Sequence, residues 1–199
     1  MSWLFSIKLL LYLCFTKNQL MQRVTLKDKT FVPYISSDKI SASVYQMAQK
    51  INSDLLNDMP LFLVVLNGSF MFASDLLKEI NIPCELSFIK LASYHGTTST
   101  GVVTEMIGLT EEIKGRTVVI VEDIVDTGVT LEKLVTLLTK KEVKQIKVAT
   151  FLLKPDAYKK DIKVDYVGME IPNDFVVGYG LDYDGLGRNM KEVYVLDSK

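Results

Sequence analysis

Glu122, Asp123 and Asp126 lie close together in the chain, and Thr127, Gly128, Val129 and Thr130 follow without a gap. Carboxylates can hold hydroxyls, a cation or a proton, while threonine hydroxyls and a glycine that lets the backbone approach closely can hold an anion. Adjacent carboxylates repel one another, so a fold that keeps Glu122 beside Asp123 must offer them hydroxyl donors, a metal or cationic partners. A ribose with two neighbouring hydroxyls meets that need. The Thr127–Thr130 turn suits a phosphate monoester better than a nucleotide triphosphate, because no Gly-Lys-Ser/Thr follows and the loop lacks the lysine of a Walker-type cradle. Together these residues describe a site for a sugar phosphate.

The elements on either side are built to position such a site. Val118-Val119-Ile120-Val121 is an unbroken β-branched run, which fits a strand covered on both faces in a parallel α/β sheet. Apolar residues at helical spacing follow over 131–138. The acids therefore fall at a strand's carboxyl end, where open α/β sheets bind ligands, and the next helix turns its positive end toward the same place. A sharp bend is expected after Val121, converging carboxylate oxygens and backbone amides on one pentose.

Elsewhere the pattern alternates. Ser36 or Ser37 can cap a helix that puts Ile40, Val44, Ala48, Ile51 and Leu55 on one face. A buried strand over 61–66 leads through Asn67-Gly68-Ser69 into a helix carrying Phe72, Leu76, Leu77 and Ile80, ended by Asn81 and Pro83. Strands are expected over 85–91, 102–107 (antiparallel to the one before), 146–153, 165–170 and 192–196. This alternation predicts an α/β fold, a mostly parallel twisted central sheet with helices on both faces.

A chain of 199 residues, 48% hydrophobic, can build one core of useful size, and nothing suggests a second domain. Lys+Arg of 23 against Asp+Glu of 24 gives no electrostatic case for nucleic acid or an anionic membrane as partner, which favours a small molecule. Two cysteines, Cys14 and Cys84, can form neither a disulfide framework nor a cysteine-rich zinc site, in keeping with a reducing, cytoplasmic setting. Residues 1–20 are unusual: the apolar run 9–15 is too short to span a bilayer, and only Lys8 precedes it within an otherwise apolar stretch. They read as a non-core extension ahead of a domain over 21–199, upstream even of a start at Met21, with a weak signal peptide or a membrane-touching segment as the alternatives.

From about Asp38 to Ser198 the chain resembles the type I phosphoribosyltransferases, and the wording Glu-Asp-Ile-Val-Asp-Thr-Gly at 122–128 resembles the hypoxanthine (hypoxanthine-guanine) phosphoribosyltransferases in particular. Leu66-Asn67-Gly68-Ser69, Leu91-Ala92-Ser93-Tyr94, Leu152-Leu153-Lys154-Pro155 and the stretch from Asp174 to Tyr183 complete the family's motifs in the family's order. The resemblance implies a small hood over the carboxyl edge, built from segments at the chain ends, and a homodimer or homotetramer. It also implies Mg²⁺-assisted displacement of pyrophosphate from C1 of phosphoribosyl diphosphate (PRPP) by N9 of a 6-oxopurine.

Carried over position by position, Glu122 and Asp123 hold the ribose hydroxyls directly or through Mg²⁺, and Asp126 is the proton acceptor beside purine N7, aided by partial burial. Thr127, Gly128, Val129 and Thr130 cradle the 5′-phosphate, with Val129 contributing its backbone alone. Asn67, Gly68 and Arg188 take the pyrophosphate end, where the resemblance implies a cis peptide between Leu66 and Asn67. Mammalian relatives carry lysine in place of Asn67, which throws more weight onto Arg188 and Mg²⁺. Lys154 donates to purine O6, Phe175 stacks on the ring, Val176 offers its backbone, and Asp182 holds a second Mg²⁺ through its waters.

Residues 92–101 look like a closing lid with Ser93 and Tyr94 at its base. His95, the single histidine, lacks any metal or triad spacing and is set aside as a catalyst. A phosphoribosyltransferase for xanthine or another base, and a non-catalytic PRPP-sensing regulator, remain as alternative readings.

Overall fold

The computed structural model describes residues 22–93, 104–107 and 109–197. Strand β3 (Leu61–Leu66) is apolar at every position and β6 (Thr117–Val125) is apolar from Val118 to Val121, so both faces need cover. Phe62, Val64, Val119 and Val121 join one core with helices α1 (Ser37–Asp54) and α2 (Phe70–Glu79). Leu61, Leu63, Val118 and Ile120 join the other with α3 (Val129–Lys140). Period-two alternation thus sends neighbouring residues to opposite helical layers.

Numbered in chain order, the remaining strands are β1 (Val24–Leu26), β2 (Lys29–Ile35), β4 (Glu85–Ser93), β5 (Thr104–Ile107), β7 (Gln145–Leu153), β8 (Tyr166–Glu170), β9 (Val176–Val177) and β10 (Val193–Leu196). The main sheet runs β5-β4-β3-β6-β7-β8, parallel throughout except for the antiparallel edge strand β5. This is the expected α/β architecture. Ser36 caps α1, its Oγ accepting the Lys39 amide, and Ile40, Val44, Ala48 and Ile51 are buried along the predicted face.

A second sheet, β1-β2-β10-β9, is antiparallel and forms the hood. Phe31, Val177 and Tyr194 make its small core. β10, expected simply as a further strand, belongs here and not to the main sheet. Strands β1 and β9 have only three and two residues, too short for periodicity to reveal.

Two boundaries differ from expectation. The bend expected after Val121 falls after Val125, because Glu122, Ile124 and Val125 continue the parallel pairing with Thr150, Leu152 and Leu153 of β7. Strand amides with a partner strand beside them stay in the ladder. Helix α2 ends at Glu79, with Ile80 already extended. Residues 1–20, Tyr94 and His95 lie outside the described residues, so of the lid base only Ser93, the last residue of β4, is seen. Among the described residues no helix is long and apolar enough to cross a membrane.

Candidate active site

Because β6 stays straight to Val125, Glu122 and Asp123 are strand residues at the sheet's carboxyl edge, not loop residues. Glu122 is only 6% exposed. Burial, and then the charge of Asp123, push its carboxyl well above the ordinary range. Asp123 is pushed up to about 6, by burial first, against the opposing pull of the Ile124 amide and the Arg188 guanidinium. Its Oδ1 accepts the Ile124 N–H at 2.8 Å. Two neighbouring carboxyls held in this way favour a ligand that donates hydroxyls or positive charge.

After Val125 the chain turns through Asp126 and Thr127 to Gly128, whose left-handed φ of +80° opens α3. A Cβ at Gly128 would lie 2.5 Å from Tyr158 Cε2, so the loop after β7 is packed tightly against the turn. An open cleft of about 310 Å³ is lined by Glu122, the 124–126 segment and the turn 127–131. The first amides of α3 have no partner within the helix, and they face this cleft with the positive end of its dipole.

Parallel pairing of β6 and β7 brings their ends side by side, and the Lys154 amide donates to Val125 O at 3.0 Å. Lys154 Nζ then lies 2.8 Å from Asp126 Oδ2. The lysine side chain is 11% exposed and the aspartate 47% exposed. The burial anticipated at Asp126 therefore belongs to its partner. Sequence reasoning assigned these two residues separately to one ligand edge; the fold joins them by an ion pair.

On the opposite side, β3 ends at the Leu66–Asn67 peptide, which is cis as the resemblance implies. Asn67 is exposed and Gly68 buried. A Cβ on Gly68 would lie 1.5 Å from Asp123 Oδ2, and one on Gly180 would lie 1.9 Å from Gly68 O. Three segments thus stack without room for a methyl group between them: β6, the loop after β3 and the loop after β9.

Arg188 Nη2 is 2.6 Å from Asp182 Oδ1, and its Nη1 donates to Gly180 O at 2.7 Å. Asp182 Oδ2 also accepts the Gly185 amide at 2.7 Å. Among the described residues no group of three or more His, Cys, Asp or Glu side chains could hold a metal by itself. Glu122 and Asp123 still fit a hard cation that takes one or two carboxylates from the protein and its other oxygens from a phosphorylated ligand and water, the usual arrangement for Mg²⁺. Asp182, whose two oxygens already accept from Arg188 and from the Gly185 amide, fits it less directly.

Phe175 is 43% exposed, so it is not a core aromatic. Its ring packs 6.2 Å from Phe31 and edge-on at 5.9 Å from Tyr183. Lys29 Nζ lies 5.5 Å from its centroid. Val176 is buried beside it in β9. The hood therefore holds a braced aromatic face with surface still free.

Two positions had no role in the sequence reading. Gly180, at φ +99°, lets the hood loop reach the Gly68 carbonyl. Tyr179 donates its hydroxyl to Asp75 Oδ2 at 2.9 Å, tying that loop to α2. Glycines at 178 and 180 flanking an aromatic residue were the available signal, since a glycine pair marks close backbone approach.

A doubly covered parallel sheet, an acid pair and a threonine–glycine turn at its carboxyl edge, and an antiparallel hood define an α/β enzyme of the kind that handles nucleotides or sugar phosphates. The model of the phosphoribosyl transferase domain matches residues 36–184, and the chain belongs to that family. It falls among the hypoxanthine type. Over 163 residues it is 40% identical to the hypoxanthine-guanine phosphoribosyltransferase of Bacillus subtilis, covering 81% of this chain and 91% of that one. The Mycobacterium tuberculosis enzyme of the same name is 38% identical over 173 residues, 83% and 85% of the two chains. The crystal structure of a hypoxanthine phosphoribosyltransferase from Staphylococcus aureus matches with a TM-score of 0.76 at 35% identity, covering 83% and 90%. A mutant of the Trypanosoma cruzi enzyme, in a ternary complex with its substrates, matches at 0.76 and 33% identity, covering 83% and 95%.

Proposed function

We propose that this enzyme salvages purines by transferring the 5-phosphoribosyl group of PRPP to N9 of hypoxanthine, and of guanine, to give IMP or GMP and pyrophosphate. The observation that carries the reading is the Lys154–Asp126 pair, 2.8 Å apart, with Asp126 lining the cleft beside the Thr127–Thr130 turn. In a 6-oxopurine, O6 and N7 border one side of the ring. Lys154 donates to O6, and Asp126 accepts the proton from N7 as N9 bonds to the sugar. Adenine presents an amine at that position and leaves the ammonium without an acceptor.

The C1–O bond to pyrophosphate breaks as the C1–N9 bond forms, and positive charge grows on the ribose. Glu122 and Asp123 hold its hydroxyls and face that charge. Thr127, Gly128, Thr130 and the Val129 amide anchor the 5′-phosphate. Asn67, Gly68 and Arg188 receive the pyrophosphate, Phe175 stacks on the base, and Val176 meets its edge through the backbone. Glu122 and Asp123 would hold a Mg²⁺ ion, which would supply positive charge against the departing pyrophosphate, and Asp182 would hold a second through its waters. Ser93 and Tyr94 serve the lid that excludes water from the cationic sugar. The working protein is a cytoplasmic homodimer or homotetramer without nucleic-acid or membrane partners.

Steady-state rates with PRPP, Mg²⁺ and a panel of hypoxanthine, guanine, xanthine and adenine test this. Hypoxanthine or guanine is expected to be fastest and adenine slowest. Fastest turnover of adenine would refute the base assignment, and fastest turnover of xanthine would move the enzyme to its neighbouring specificity.

A further inference from the structure

The phosphate turn has no cation of its own. Residues 127–130 are Thr, Gly, Val and Thr, and the two cations named for the other subsites are engaged, Lys154 by Asp126 and Arg188 by Asp182. A carboxylate stands close behind the turn instead. Glu132 is in the first turn of α3, its amide donating to Gly128 O at 2.9 Å. A 5′-phosphate dianion at this turn would meet the helix dipole and also a like charge.

The loop after β7 lies against the same glycine. It leaves Lys154 in a tight turn, with the amides of Ala157 and Tyr158 donating to Lys154 O at 3.1 and 3.0 Å. Tyr158 is fixed by its hydroxyl, which donates to Ile162 O at 2.5 Å. Its ring edge and the stem of Lys160 both crowd Gly128: a Cβ there would lie 2.5 Å from Tyr158 Cε2 and 2.9 Å from Lys160 Cγ. From that anchored stem Lys160 Nζ reaches Glu132 Oε2 at 2.7 Å, with its side chain 29% exposed.

Resting on the PRPP reading above, we propose that Lys160 is the missing cation of the 5′-phosphate subsite, parked on Glu132 until a phosphate enters and then shared with it. The lysine stem already lies across the glycine, but Lys160 does not line the cleft while held on Glu132, so serving a phosphate means that its Nζ leaves the carboxylate and swings to the turn. A phosphate dianion carries more charge than Glu132 and offers three oxygens, so it competes well for the ammonium. One loop then serves both ends of the nucleotide product, Lys154 at the base and Lys160 at the phosphate.

Opposite signs at the two partners distinguish this role from a simple structural bridge. Lys160→Met is expected to raise KM for PRPP about tenfold, with kcat within about twofold, while Lys160→Arg stays near wild type. Glu132→Gln removes the competing carboxylate and is expected to lower KM for PRPP by about twofold to threefold. Calorimetry with ribose 5-phosphate, without metal, should follow the same order, whereas binding of pyrophosphate should not change with Lys160→Met. The proposal is overturned if Lys160→Met and Glu132→Gln shift PRPP and ribose 5-phosphate affinity in the same direction, or if Lys160→Met leaves both unchanged. A wild-type protein that turns over no PRPP would instead overturn the reading on which it rests.

Discussion

The main sheet and the hood reach the same cleft by different physical means. At the sheet's carboxyl edge, Glu122, Asp123, Asp126 and Lys154 are placed by strands whose interior residues are fully buried, so their positions follow from a packed core with little freedom. In the hood, a core of three buried residues is supplemented by exposed polar ties: Lys27 to Asp184 at 2.6 Å, and Tyr183 to Asp28 at 2.8 Å. Such surface ties contribute little each. The hood also lends Ile35, Val176 and Val193 to the main core, so it is anchored at its base and tied by polar contacts at its rim. On the proposed reading, the sheet edge holds the reacting atoms and the hood holds groups that bind the substrates. Changes at the sheet edge should therefore appear mainly in kcat, and changes in the hood mainly in KM.

The sharpest way to break that division is Asp126→Asn, which keeps shape and removes the proton acceptor. A fall in kcat of about 10²–10⁴-fold is expected, with KM for PRPP little altered. An enzyme as fast as wild type would make the site a binding module or assign the proton elsewhere. Next in size is Gly180→Ala at the seam between the regions. A methyl group would strike Gly68 O at a φ of +99°, so both kcat and the pyrophosphate KM should suffer by about tenfold or more, with the melting temperature also lowered. An effect confined to stability would show that the seam does not transmit to the site.

Phe175→Ala, purely in the hood, should raise KM for the purine about tenfold and leave kcat within a few-fold. If kcat fell equally, the hood would be as much part of the reacting frame as the sheet. Smallest is a stability effect at Asp123. Burial pushes its carboxyl up to about 6 in the fold from an ordinary 3.8, so the folded state holds the proton more tightly. That contribution is present below pH 4 and is lost as pH rises through about 6. Asp123→Asn should therefore stabilise the ligand-free, metal-free protein at pH 8 by about 1–2 kcal/mol relative to its effect at pH 4, measured by denaturant unfolding.

The same contrast governs what could be read from the chain. Val118 to Val121 and 61–66 announced their strands because burial on both faces leaves no polar interruption, and the Ile40-Val44-Ala48-Ile51 stripe announced α1. The hood's β1 and β9 offered no such pattern, since strands of three and two residues cannot display a period. At the site, the residue types were legible and their geometry was not. Glu122 and Asp123 were expected past a bend, yet cross-strand pairing with β7 keeps them extended. The Gly180–Gly68 contact joins residues over a hundred positions apart, and no local pattern encodes such a meeting.

On the reading proposed above, the Lys154–Asp126 bridge sets a donor and an acceptor side by side where the base would sit. The bridge uses one ammonium N–H and one carboxylate oxygen, so both groups keep capacity for a ligand atom. A molecule with an acceptor and a donor on adjoining atoms engages both, and one with half of that pattern gains a single contact. On that reading discrimination begins before any bond to the sugar is made, in a donor and acceptor that the fold has already set side by side.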